Sequence, residues 1–305
     1  MIRRIFLFIL TNIAIIVMGT IILGLLQTVF GIDIIGTLHS SWLSLAIFAL
    51  IYGFFGSFIS LWTSKWMAKR FYHIELITLD NLGSATPGQK LVYQTVEHIA
   101  QKNSITMPEV GIYESPEVNA FATGATRNSS LVAVSSGLVA QMSADEVEWV
   151  VAHEMAHILN GDMVTMTLLQ GVINAFVIFL SRALAQVISM AMRRDDASSN
   201  WFVYFGIVIV LEILLGILGS LIVMGYSRRR EFAADAGSAS YVGKSKMVNA
   251  LRALQRIHEQ NIAIKGDPKL ATLKIDGKSS GFLHLFASHP PLEERIQNLI
   301  NSPIL

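Results

Sequence analysis

The chain contains no cysteine, so neither a disulfide framework nor a thiolate metal site can be built from it. Any metal must be held by His, Asp or Glu. Charge is scarce too: only 15% of the 305 residues are Asp, Glu, Lys or Arg, against about 25% in ordinary soluble proteins. That deficit excludes an ordinary soluble enzyme. It also excludes a disordered chain, which needs high charge and low hydrophobicity. A surplus of one sign is missing as well. The formal net charge is +1, which argues against the strongly basic face of a nucleic-acid binder, and no nucleic-acid partner is expected. Apolar residues take the place of charge: 52% of the chain is hydrophobic. The composition is that of a membrane protein with a modest polar part, and a lipid bilayer is the first partner it implies.

Four stretches carry the apolar excess. They run from about Ile5 to Leu26, Trp42 to Trp62, Val164 to Met190 and Trp201 to Tyr226. Each reaches the ~20 residues needed to cross ~30 Å of hydrocarbon as a helix. The first follows Arg3 and Arg4 like a signal peptide. Its apolar run is longer than a typical h-region and no A-x-A site follows, so it reads as an uncleaved span. Basic flanks set the orientation. Arg3 and Arg4 precede the first span, Lys65, Lys69 and Arg70 follow the second, and Arg228 to Arg230 follow the fourth. The loop from Gly31 to Ser40 has no Lys or Arg. Both termini are therefore expected in the cytoplasm. Arg182 and Glu212 lie inside the third and fourth stretches, where charges usually face a protein interior. A buried helical hairpin that never fully crosses is the alternative there. The expected division is a membrane pair over 1–65, a cytoplasmic part over 66–163, a second membrane hairpin over 164–226 and a cytoplasmic C-terminal part over 227–305.

The polar parts read as mainly helical. Pro87 sits like a first-turn proline ahead of Leu91, Val92, Thr95, Val96 and Ile99 at helical spacing. Val110 to Tyr113 and Ser130 to Val134 are β-prone runs, expected as strands. By composition the segment between them, Asn119 to Gly124, is small and irregular. Ser143 to Glu146 matches a capping box, so a helix should run from there to about Leu159, with Asn160-Gly161 as its stop. Two later helices follow, one marked by Met247, Leu251 and Leu254, the other opened by Pro290-Pro291. The expected fold is α-helical in the membrane, with four spans, plus a mainly helical α+β cytoplasmic domain holding a small sheet.

Within the capped helix lies His153-Glu154-Met155-Ala156-His157. Histidines four apart share a helical face, so both imidazoles can reach one tetrahedral Zn²⁺. Glu154 then lies beside the metal, placed to take a proton from water. With 8 histidines in 305 residues, H-E-x-x-H would arise by chance about 0.01 times per chain. A third ligand is needed. Glu231 stands out in Glu231-Phe232-Ala233-Ala234-Asp235, which puts Glu231 and Asp235 on one helical face just after the fourth stretch. An antiparallel pair of spans would return Glu231 to the end of the His-bearing helix. Asp235 would then be placed to accept a hydrogen bond from a ligating imidazole. Alternatively, Glu231 only balances Arg228 to Arg230.

The two motifs together resemble the gluzincin peptidases related to the CAAX prenyl proteases. Further matches narrow the resemblance to bacterial membrane members: Ser64-Lys65-Trp66-Met67-Ala68, Asn119-Ala120-Phe121-Ala122-Thr123-Gly124-Ala125, Asn160-Gly161-Asp162-Met163 and Ser288-His289-Pro290-Pro291 with Arg295. It covers essentially the whole chain. It implies a zincin-like domain and an inner-membrane endopeptidase holding one Zn²⁺ per chain. Such enzymes cleave misfolded or damaged membrane proteins at the cytoplasmic face, in quality control and stress response, and can cleave themselves. It also implies that Glu231 is the third zinc ligand and that Asp235 supports the first histidine. The stretch from Asn119 would be an edge strand for substrate, while His289 and Arg295 would contact substrate or the oxyanion. One rival is an intramembrane protease, disfavoured because Asp145, Glu146 and Glu148 share the motif's helix. A metal transporter or an inactive scaffold is the other, disfavoured by the intact Glu154.

Overall fold

The computed structural model describes residues 42–192, 200–265 and 289–302, together with Thr28. The expected first span and the loops at Gly31–Ser40 and Arg193–Asp196 lie outside the described residues. Three long helices follow the apolar stretches: α1 (Trp42–Tyr72), α5 (Asp162–Ala191) and α6 (Asn200–Val242). These helices are 31, 30 and 43 residues long. At ~1.5 Å per residue each is long enough to cross ~30 Å of hydrocarbon. Contacts divide the chain into two units, one of residues 1–60 and 167–223, the other of 61–166 and 224–305.

In the first unit the helices approach through small residues. A side chain at Gly53 would collide with the backbone of Ala175, and one at Gly219 with Ile173. Such close approach replaces the hydrophobic driving force that lipid cannot supply. Arg182 Nη1 lies 2.6 Å from Glu212 Oε1, joining α5 to α6, and the guanidinium lies over the Phe48 ring of α1. The two charges that complicated the sequence reading therefore neutralise one another.

The second unit is built around a four-stranded mixed sheet in the order β1-β2-β4-β3, of β1 (Glu75–Ile77), β2 (Glu109–Tyr113), β3 (Ala120–Thr126) and β4 (Ser129–Ser135). Strand β4 pairs parallel with β2 and antiparallel with β3, Ala120 facing Val134 and Ala122 facing Val132. The segment expected to be irregular is thus an edge strand. Ala and Gly have little β-propensity of their own, so the strand is imposed by pairing with the buried Val132 and Val134. Gly124 permits a bulge at φ 141°, where a Cβ would strike Ser129 O. Strand β1 and the short helix α3 (Ser136–Gln141) had no clear periodic signal.

Helix α2 (Pro87–Lys102) starts with a capping box: Thr86 N–H donates to Gln89 Oε1 at 2.9 Å, and Gln89 N–H to Thr86 Oγ1 at 3.3 Å. Helix α4 (Ala144–Asn160) opens where Ser143 N–H donates to Glu146 Oε2 at 2.8 Å and stops at Gly161, in the left-handed region at φ 72°. Val96 and Ile99 of α2, Val151, Met155 and Ile158 of α4, and Val132 and Val134 of the sheet form one core. It extends to Met247 and Leu251 of α7 (Lys244–Lys265) and to Ile296 and Leu299 of α8 (Leu292–Asn301). Burial of these side chains contributes roughly 1.5–3 kcal/mol each, enough to hold α4 rigidly between its neighbours.

Candidate metal centre

Helix α4 presents His153 and His157 one turn apart, 6% and 7% exposed. Helix α6 brings Glu231 and Asp235 against them, both fully buried. Small residues make this approach possible: a Cβ on Gly237 would lie 3.2 Å from Ala156 Cβ, and Ala234 is wholly buried. His153 Nε2 lies 3.2 Å from His157 Nε2 and 3.4 Å from Glu231 Oε2. His157 Nε2 lies 3.5 Å from Glu231 Oε1. These separations fit one metal, because a tetrahedron with bonds of ~2.0–2.1 Å has edges of ~3.3–3.4 Å. Among the described residues neither buried oxygen of Glu231 has a well-aligned hydrogen bond, although Arg230 Nη2 lies 3.4 Å from Oε1 and His289 Nδ1 3.0 Å from Oε2. A buried carboxylate is costly unless cationic groups gather around it, as Arg230 and Arg295 do here.

Carboxylates also lie against the outward-facing ring nitrogens. Asp235 Oδ1 lies 3.0 Å from His153 Nδ1, and Asp162 Oδ2 lies 2.6 Å from His157 Nδ1. The Asp235 contact was anticipated from its place one helical turn beyond Glu231. The Asp162 contact was not, although Asn160-Gly161 had marked the break that puts it there. Arg295 of α8, 6% exposed, donates from Nε to Asp235 Oδ2 at 2.8 Å and from Nη2 to Oδ1 at 2.5 Å. Its Nη1 lies 3.8 Å from Glu231 Oε2. His289 is largely exposed, with Nδ1 3.0 Å from Glu231 Oε2. The structure thus brings His153, His157, Glu231, Asp235, Arg295 and His289 together. Glu154 is half-buried beside them on α4, and exposed Asn119 immediately precedes β3. The Asn119 backbone is fixed by Ser135, whose N–H donates to its carbonyl at 2.9 Å and whose Oγ accepts from its N–H at 3.1 Å.

Burial opposes a charge on His153, yet the adjoining Asp235 and Glu231 carboxylates outweigh it and raise its pKa to about 9. Protons and a metal therefore compete for this imidazole. The folded pKa is raised, so at neutral pH a proton is bound and must leave before a metal can be held. Metal affinity is expected to rise about tenfold per pH unit between roughly pH 6.5 and 8.5, levelling near the raised value. Competition with a chelator of known pH dependence measures this. A flat profile would show that His153 loses no proton on binding.

The profile of peptidase family M48 matches residues 88–302. The chain belongs to peptidase family M48. Protease HtpX of Tolumonas auensis is 49% identical over 303 residues, spanning 97% of this chain and 98% of that protein. Protease HtpX of Escherichia coli strain K12 is 47% identical over 301 residues, spanning 97% of each. The crystal structure of S. mikatae Ste24p has the same fold, with a TM-score of 0.57 at 18% identity, over 94% of this chain and 66% of that one. The M48 chain described here is a membrane metallopeptidase, a hydrolase of peptide bonds. Its group of His153, His157 and Glu231 can bind a metal.

Proposed function

We propose that this peptidase is a zinc-dependent endopeptidase of the bacterial inner membrane that cleaves misfolded or damaged membrane proteins at the cytoplasmic face. On this reading it serves quality control under stress and can cleave itself. The observation that carries the proposal is the convergence of three buried donor atoms, from two helices distant in sequence, at tetrahedral spacing. His153, His157 and Glu231 would hold one Zn²⁺. When bound, the ion would supply Lewis acidity toward a carbonyl oxygen and lower the pKa of water beside it. Glu154 takes the proton of the attacking water and delivers it to the departing amine. Asp235 orients His153. Arg295 or His289 steadies the developing oxyanion.

Substrate in this reading lies along β3. That strand ends the sheet order, so an extended peptide can add beside it through main-chain hydrogen bonds, starting near Asn119. Four spans, with both termini and a zincin-like domain on the cytoplasmic side, complete the arrangement. The segments are 1–65 and 164–226 in the membrane, and 66–163 and 227–305 outside it.

The test uses the full chain purified in detergent. Treatment with a chelator should abolish cleavage of an unfolded protein such as casein, and of the chain itself. Zn²⁺ should restore both at one equivalent per chain. Undiminished cleavage by thoroughly stripped protein would overturn the proposal.

A further inference from the structure

Two carboxylates flank the pair of histidines, and the one on His157 has no counterpart among the roles assigned so far. Asp162 is buried at 5% exposure, with Oδ2 2.6 Å from His157 Nδ1. Five residues separate the two in sequence. In an unbroken helix that spacing would rotate Asp162 about 140° away from the histidine. Gly161 breaks the helix instead: at φ 72° it ends α4, and α5 starts at the next residue. The break is what returns the Asp162 carboxylate to the last turn of α4.

The start of α5 also fixes the chemical character of this group. Unsatisfied backbone N–H groups and the helix dipole favour an anion in a first turn, so Asp162 is suited to accept rather than donate. His157 Nδ1 then carries the hydrogen, and Nε2 presents its lone pair to the side where Glu231 Oε1 lies 3.5 Å away. A ligating imidazole needs that tautomer. We infer that Asp162 is a positioning residue for His157, locking the ring and tautomer with which it holds metal, as Asp235 does for His153. The inference rests on the reading that His157 is a metal ligand.

The test measures zinc release rather than turnover, in a Glu154→Gln background so that self-cleavage does not intrude. Purified full-length protein is loaded with Zn²⁺ and its loss to excess chelator is followed. The Co²⁺-loaded form is compared by its visible absorption, which reports ligand geometry. Asp162→Asn should release zinc about 10–100-fold faster and alter the Co²⁺ spectrum. Losing the charge in the first turn of α5 costs only about 0.3–1 kcal/mol of helix stability, so a residue that merely begins α5 would leave both readouts unchanged, and that result overturns the inference. Should the Asn variant not fold, Asp162→Glu, which keeps the charge but displaces it, is measured in the same way with the same two outcomes. His157→Ala separates the two layers. Zinc held as tightly as before without His157 sinks the ligand set. Zinc lost without His157, yet released at the original rate by Asp162→Asn, overturns only the role of Asp162.

Discussion

Glu154→Gln is expected to keep its metal and its fold and to lose about 10²–10⁴-fold in the rate of peptide cleavage. Glutamine has the length and shape of glutamate and favours helix equally well, so α4 is undisturbed. The donors at His153 and His157 remain as they were, since their Nδ1 partners are Asp235 and Asp162 rather than Glu154. What disappears is the capacity to accept a proton from attacking water and hand it to the amine. The paired measurement is metal content and turnover on one preparation. Loss of both together would mean that Glu154 supports the site's structure, and cleavage within a few-fold of the parent would sink its role as general base.

The local chemistry of this centre was legible because it follows helical geometry. His153 and His157, four apart, need only the 3.6-residue period to share a face. The capping box at Ser143 and the stop at Gly161 bound the helix that carries them. Glu231 and Asp235 were legible by the same period, although nothing local separated a ligand from a partner for the neighbouring arginines. The tertiary approach of α6 to α4, through Gly237 and Ala156, sets Glu231 beside both histidines, while Arg230 Nη2 also lies 3.4 Å from Glu231 Oε1. Strand β3 was hidden from periodicity because its Ala and Gly residues carry no strand signal. Only the motif resemblance marked the segment from Asn119 as an edge. Arg295 was marked by the motif resemblance, but its pairing was hidden for a different reason. Its carboxylate partner lies far away in sequence, and spacing carries no information about contacts between α6 and α8.

That contact supports the second large effect. Asp235→Ala is expected to destabilise the protein by about 3–5 kcal/mol, because it strands a buried guanidinium. Asp235 accepts two hydrogen bonds from Arg295, at 2.8 and 2.5 Å, while also facing His153 Nδ1 at 3.0 Å. Its removal should therefore also cost about 10–100-fold in metal affinity. Arg295→Met removes the cation but leaves His153 its acceptor, so stability should fall while metal affinity falls less. In Asp235→Ala/Arg295→Met both charges are gone. The double variant should melt above the Asp235→Ala single in detergent, even though its metal affinity stays as weak as that single's. The two readouts thus divide one carboxylate's work: coupling to Arg295 is seen in the melting temperature, and orientation of His153 in the affinity. Additive melting shifts would mean that the two side chains do not stabilise one another. An affinity restored in the double variant would mean that the unpaired arginine, rather than the lost acceptor, had weakened the metal.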